Sequence, residues 1–223
     1  SIIISMLSQK IRGDLVVARP SFPLYEAHCR YSAIKYKTWD LSEDLEYDIG
    51  ALADLRPGSI VIFASPNNPT GSSLSKSDLE KLLQMHPQAY FIADEAYYEF
   101  CDQSYTSLLT KYSNLVIVRT FSKAFSAAGV RLGYTIAAKE FIEECRKLTL
   151  PFVINRFTII AFLVALNDKE FLEEINKNVK YLIKKKDNLY IIGNDLLANS
   201  EKKLYPSFAN FLFLRCGSLK DSI

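Results

Sequence analysis

The chain has 223 residues, of which 49% are hydrophobic and 23% are charged, and its net charge is only +2. A chain of this size and composition buries a substantial core, so disorder is excluded and nucleic acid is not favoured as a partner. No paired spacing of the kind that binds metal separates the four cysteines, and a reducing cytoplasm fits them best. These are Cys29, Cys101, Cys145 and Cys216.

The opening segment and one apolar run predict a soluble protein. Residues 1–7 contain no basic leader and no small-residue cleavage pattern. The apolar run at 157–166 is too short to cross a bilayer. Because the sequence lacks an initial methionine and enters an amphipathic pattern at once, we expect a fragment whose beginning lies upstream.

Short β-branched runs alternate with helical patterns in the first part of the chain. Five runs predict buried strands, at 15–18, 59–64, 90–93, 115–119 and 132–137. Between them, a helix is predicted at 75–85 because Ser77 and Glu80 have capping-box spacing and three leucines share one face. This rhythm predicts an α/β fold with a three-layer, mostly parallel sheet flanked by helices.

The strand signals weaken after residue 138. Helical patterns continue to about residue 199, and a last apolar strand is predicted at 210–214. The change in composition predicts a large domain at 1–138 and, at 139–223, a helical linker with part of a smaller α+β domain.

Polar residues gather directly after three of the predicted strands. They form the segments 65–71 (SPNNPTG), 94–97 (DEAY) and 120–123 (TFSK), and Arg131 follows eight positions after Lys123. Ligands of open α/β sheets bind outside the carboxyl ends of the strands, so these segments are candidates for one site. Taken singly, each also fits an ordinary turn, a helix cap or a solvated lysine.

Together these segments resemble a known family. SPNNPTG (65–71), DEAYYEF (94–100) and RTFSKAFSAAGVRLGY (119–134) resemble the fold type I aminotransferases, most closely the histidinol-phosphate aminotransferase group. The resemblance implies pyridoxal 5′-phosphate (PLP) as cofactor, a large PLP-binding domain, a cytoplasmic homodimer, and no nucleic-acid or membrane partner.

The resemblance also implies roles for individual residues. Lys123 is expected to hold PLP as a Schiff base and then to act as the base, and burial beside positive charge is expected to favour its neutral amine. Asp94 is expected to keep the pyridine nitrogen protonated, whereas Glu95 pairs locally. Asn68 and Tyr97 resemble the donors to the phenolate oxygen of the ring, although either fits a structural role.

Further residues are implied for the phosphate, the ring face and the substrate. Thr120, Ser122 and Arg131 are expected to bind the phosphate, together with the amino terminus of a helix containing residues 2–7. Phe22 resembles the aromatic residue that stacks on the ring, and ordinary core is the alternative. Arg215 matches a substrate-binding arginine of the group, and a surface charge at a strand end is the alternative.

The implied reaction is amino transfer between histidinol phosphate and 2-oxoglutarate, in histidine biosynthesis. Alternatives are another aminotransferase of the class, a phosphoamino-acid decarboxylase of the same fold, or a truncated form that folds without turnover.

Overall fold

In the computed structural model, residues 12–149 and 153–217 are described. Six strands form one sheet in the order β2-β1-β3-β4-β5-β6. The pairs from β2 to β5 are parallel, and β6 runs antiparallel to β5. The strands are β1 (Leu15–Arg19), β2 (Lys37–Asp40), β3 (Ile60–Ala64), β4 (Tyr90–Asp94), β5 (Leu115–Thr120) and β6 (Gly133–Ala137).

The five predicted strands of the sheet are confirmed to within one residue at each end. The predicted burial of the last one is wrong, because every residue of β6 is exposed or half-buried at the edge of the sheet. β2 was not predicted, because its four residues, KTWD, contain a single buried apolar side chain, Trp39. The mostly parallel character is confirmed, and the edge strand β6 is the exception, since it runs antiparallel to β5.

Five α-helices accompany the strands in the described residues. They are α1 (Leu24–Tyr31), α2 (Lys76–Met85), α3 (Lys139–Leu148), α4 (Arg156–Asn167) and α5 (Lys169–Leu197). The predicted cap of α2 is wrong: the Oγ of Ser75, rather than that of Ser77, accepts a hydrogen bond from the backbone N–H of Asp78 at 3.1 Å. The helix begins at Lys76, so Ser77 already lies within its first turn.

Both faces of the sheet are covered, which confirms the three-layer arrangement. Val61 and Phe63 of β3 pack on one face with the buried leucines of α2, Leu79, Leu82 and Leu83. Ile60 and Ile62 point to the other face, where they pack with Tyr25 of α1 and Phe141 of α3. Because neighbouring residues of a strand point to opposite faces, this fully buried strand reads as a continuous apolar run.

The C-terminal part is mainly helical, as predicted. Its last strand is shorter than the predicted 210–214: β8 (Phe213–Arg215) pairs antiparallel with an unpredicted strand, β7 (Lys203–Tyr205). The division into domains at residue 139 stays a prediction, and α3, which follows it, packs on the sheet through Phe141.

The described residues contain neither a membrane-spanning helix nor a cluster of metal-binding side chains. Within 12–149 and 153–217, no helix combines the length and the apolar character needed to cross a membrane. The same residues contain no group of three or more His, Cys, Asp or Glu side chains placed to bind a metal ion.

Candidate active site

The parallel strands β3, β4 and β5 end at the same edge of the sheet, and a cavity of about 310 Å³ lies there. Eight of the nine predicted site residues line it, although they come from four separate segments of the sequence. These eight are Phe22, Asn68, Asp94, Tyr97, Thr120, Ser122, Lys123 and Arg131.

Asp94 is the last residue of β4, and the protein donates a hydrogen bond to each of its carboxylate oxygens. The backbone N–H of Ala96 donates to Oδ1 at 3.0 Å, and the Tyr25 hydroxyl donates to Oδ2. Burial raises the pKa of Asp94, and the two hydrogen bonds act in the opposite direction. Tyr25 was not predicted; its only signal in the sequence is its position three residues after Phe22.

The two neighbouring asparagines of the SPNNPTG segment have different surroundings. Asn67 is fully buried, and its Nδ2 donates to the Pro20 carbonyl and to the Thr70 hydroxyl, both at 2.8 Å. It therefore holds the loop. Asn68 faces the cavity instead, and its Nδ2 lies 3.4 Å from the Tyr97 hydroxyl.

Lys123 lies in the loop between β5 and β6, with its Nζ 5.0 Å from the centre of the Tyr97 ring. Its predicted burial is wrong, because several residues of this loop, Lys123 among them, are exposed. Lys123 nevertheless lines the same cavity as Asp94, so an amine and a carboxylate lie at one site.

The residues predicted to bind phosphate lie in the same loop or directly before it. The Thr120 hydroxyl donates to Ser122 Oγ at 2.9 Å, and the Ser122 backbone N–H donates to Thr120 Oγ1 at 3.1 Å. Arg131 adopts a left-handed backbone conformation with φ of 55°, and its Nη1 donates to the Ala128 carbonyl at 3.0 Å. The predicted helix at residues 2–7 lies outside the described residues.

Phe22 and Arg215 differ in their relation to the cavity. Phe22 is 37% exposed and lines the cavity, so the alternative of ordinary core does not apply to it. Its ring meets the Tyr25 ring edge-on, with centroids 5.7 Å apart. Arg215 is not among the lining residues; it is exposed, and its guanidinium carbon lies 5.7 Å from the centre of the Tyr205 ring.

Glu95, directly after Asp94, forms an ion pair as predicted, but its partner, Arg119, is 24 positions away in sequence. Its side chain is 1% exposed, and its Oε2 accepts hydrogen bonds from Arg119 Nε at 2.9 Å and Nη2 at 2.7 Å. The Oε1 atom accepts the backbone N–H of Tyr105 at 2.7 Å. Adjacent acids on one strand end thus separate into a buried ion pair and a cavity carboxylate.

Comparisons with known proteins agree with this geometry. The model of the family "Aminotransferase class I and II" matches residues 2–220. A histidinol-phosphate aminotransferase of Methanococcus aeolicus is 35% identical over 208 residues, which cover 90% of this chain and 54% of that protein. This chain therefore spans about half the length of that relative.

Solved structures show the same fold. The histidinol-phosphate aminotransferase of Clostridium acetobutylicum superposes with a TM-score of 0.82 at 26% identity, over 96% of this chain and 64% of that one. A decarboxylase from Sulfurospirillum multivorans superposes with a TM-score of 0.78 at 27% identity, over 97% of this chain and 64% of that one. With the family model matched along nearly its whole length, this chain belongs to the class I and II aminotransferases.

Proposed function

We propose that the protein is a PLP-dependent aminotransferase that exchanges an amino group between histidinol phosphate and 2-oxoglutarate, in histidine biosynthesis. One observation carries the proposal: Lys123 and Asp94 line the same cavity, together with the hydroxyls and the guanidinium expected to bind phosphate. The resemblance to histidinol-phosphate aminotransferases supplies the substrate pair.

The chemistry of the lining residues fits PLP. Asp94 offers a carboxylate for the protonated ring nitrogen, and Phe22 offers a partly exposed aromatic face for the ring. Thr120, Ser122 and Arg131 offer two hydroxyls and a guanidinium, a set that suits a phosphate dianion. When bound, PLP supplies an electron-poor ring that accepts the electron pair left at the substrate Cα after proton loss.

Each residue then has a defined task. The Lys123 amine would hold the cofactor covalently, and its Nζ, when free, would accept the proton that leaves the substrate Cα. Asp94, as an anion, would hold the proton on the ring nitrogen. The Asn68 amide and the Tyr97 hydroxyl, which lie 3.4 Å apart, would donate to the ring's phenolate oxygen.

The similarity to a decarboxylase supports decarboxylation as a second candidate reaction. A phosphoamino-acid decarboxylase uses the same ring-binding residues but loses the carboxylate rather than the proton at Cα. Measuring 2-oxoacid formation against carbon dioxide release, with histidinol phosphate and with phosphorylated amino acids, separates the two reactions. A form that binds PLP and releases neither product is the third outcome.

A cytoplasmic homodimer with small-molecule substrates completes the proposal. Most homo-oligomers are symmetric dimers, and the resemblance implies that the two subunits share their sites. Light scattering of the active protein is expected to give twice the mass of one chain. An active monomer would contradict this part of the proposal.

The attachment of PLP is tested by reduction with borohydride followed by peptide mapping. We expect a yellow protein whose cofactor becomes fixed to Lys123, and no fixation in Lys123→Ala. Lys81→Arg, which alters an exposed lysine paired with Asp78, is the control and should label like the unchanged protein. A label on any other lysine overturns the assignment.

The role of Arg215 in substrate binding stays a prediction, because this residue lies apart from the cavity lining. If it binds the anionic substrate, Arg215→Ala raises KM for histidinol phosphate with little change in kcat. Unchanged KM would leave Arg215 as a surface charge at the end of β8.

A further inference from the structure

A tyrosine outside the family resemblance contacts the carboxylate at the centre of the proposed site. The Tyr25 hydroxyl donates to Asp94 Oδ2, across 69 positions of sequence. Because the Ala96 backbone N–H already donates to Oδ1, one protein donor reaches each oxygen of Asp94. Each carboxylate oxygen has a second acceptor site, so Asp94 can still accept a hydrogen bond from the cavity.

The packing around Tyr25 fixes the direction of its hydroxyl. The side chain is 7% exposed and belongs to the apolar cluster that includes Ile62 and Ile92. Tyr25 lies in the first turn of α1, and its backbone N–H donates to the Phe22 carbonyl at 3.1 Å. One turn of chain therefore presents both the exposed ring of Phe22 and the hydroxyl that reaches Asp94.

The electrostatics of the pair favour a neutral phenol beside an anion. Burial, and next the charge of Asp94, raise the pKa of Tyr25 well above its usual value, so the hydroxyl keeps its proton. Burial also raises the pKa of Asp94, which disfavours the anion, and the Tyr25 hydrogen bond is the first of the opposing contributions. Removing the hydroxyl would therefore raise the pKa of Asp94 further, because burial would be opposed by fewer hydrogen bonds.

We propose that Tyr25 is a positioning residue, which holds the Asp94 carboxylate ionised and oriented so that it can bind the protonated ring nitrogen of the cofactor. This inference rests on the proposed function, since it assumes that PLP binds at Asp94. Tyr25 itself lines the cavity beside Asp94 but acts through that residue.

The test compares PLP affinity, measured by absorbance titration, in the unchanged protein, Tyr25→Phe, Asp94→Asn and the double variant. Tyr25→Phe is expected to weaken binding about tenfold, the effect of losing one hydrogen bond to a charged group. In the Asp94→Asn background the same change is expected to have an effect below about twofold, because the hydroxyl no longer acts on an anion.

The matched control is Tyr36→Phe. Tyr36 also donates to a carboxylate, Glu26 Oε2, at 2.9 Å, but neither residue lines the cavity. Its affinity for PLP is expected to equal that of the unchanged protein. The pH profile adds a second measurement: in Tyr25→Phe, the loss of PLP affinity on acidification should begin at a higher pH than in the unchanged protein, because Asp94 protonates more readily.

The outcomes separate the two ideas. If Asp94→Asn binds PLP normally, the proposed function fails, and this inference fails with it. If Asp94→Asn weakens binding and Tyr25→Phe does not, only the inference fails. An equal loss on removing the hydroxyl in both backgrounds also overturns it, because Tyr25 would then act independently of Asp94.

A measurement on the unchanged protein covers the case in which Tyr25→Phe does not fold. With tyrosine selectively labelled, proton NMR should show a low-field hydroxyl resonance of Tyr25 that moves when PLP is added, since the ring nitrogen then shares the Asp94 charge. A Tyr25 hydroxyl resonance that does not respond to PLP overturns the proposal.

Discussion

Glu95 and Arg119 form a buried ion pair at the ends of β4 and β5, with Arg119 Nη2 2.7 Å from Glu95 Oε2. Their side chains are 1% and 10% exposed, so removing one partner leaves an uncompensated charge away from water. Glu95→Ala is expected to lower the free energy of unfolding by about 3–5 kcal/mol, as measured by urea denaturation.

The control for this prediction is an exposed pair of the same kind. Arg19 Nε lies 2.8 Å from Asp40 Oδ1, and both side chains are more than half exposed. Asp40→Ala is expected to cost less than about 1 kcal/mol. Equal losses in the two variants would contradict the importance of burial at Glu95.

Arg131 is expected to bind the phosphate of the cofactor and to make no contact with its ring. Arg131→Ala should therefore weaken PLP binding about 10- to 100-fold, while the affinity for pyridoxal, which lacks the phosphate, stays unchanged. Absorbance titration with both ligands measures the difference. Arg30→Ala, which alters an exposed arginine of α1 paired with Glu26, is the control; a parallel loss of both affinities in Arg131→Ala would argue against phosphate binding.

Gly71 closes the SPNNPTG loop in a conformation that other residues rarely adopt, with φ of 76°. A Cβ at this position would also lie 3.0 Å from the backbone Cα of Ser207. Gly71→Ala is expected to lower the free energy of unfolding by at least about 1–2 kcal/mol. At Gly129 a Cβ would meet no atom within 4 Å, so Gly129→Ala should unfold like the unchanged protein. If Gly71→Ala and Gly129→Ala lower the free energy of unfolding equally, the backbone conformation and the Ser207 contact are not the cause at Gly71.

Glu99 is expected to make stability depend on pH. Burial raises the pKa of its carboxyl from 4.5 to about 7, and its Oε2 is buried without a hydrogen-bond partner. The folded state therefore holds its proton more tightly than the unfolded chain does. The resulting stabilisation is fully present below about pH 4.5 and is lost as the pH rises to 7.

Glu99→Gln removes this titration. The free energy of unfolding of the variant, measured relative to that of the unchanged protein, should increase by about 1–3 kcal/mol from pH 5 to pH 8. The reason is that the variant has no buried carboxyl group to ionise. Thermal or urea unfolding at both pH values measures the change. If the difference in free energy of unfolding between the two proteins does not change with pH, Glu99 is not the source of the pH dependence.

Much of the fold and the site followed from local sequence. The central strand β3 was recognisable because it is a continuous apolar run buried on both faces. β2 was not, since Trp39 is its single buried residue. The predicted N-cap of α2 was wrong by two residues because Ser75 and Ser77 both suit that position. The backbone conformation of the folded loop selects Ser75.

By itself, the sequence determined which residues are candidates for the site, because polar residues directly after buried strands meet at one edge of a parallel sheet. The tertiary structure decided which side chains meet there. Tyr25 reaches Asp94 across 69 residues, Arg119 takes Glu95 out of the cavity, and Arg215 lies apart from it. Such contacts depend on the packing of distant segments, and that information exists only once the chain has folded.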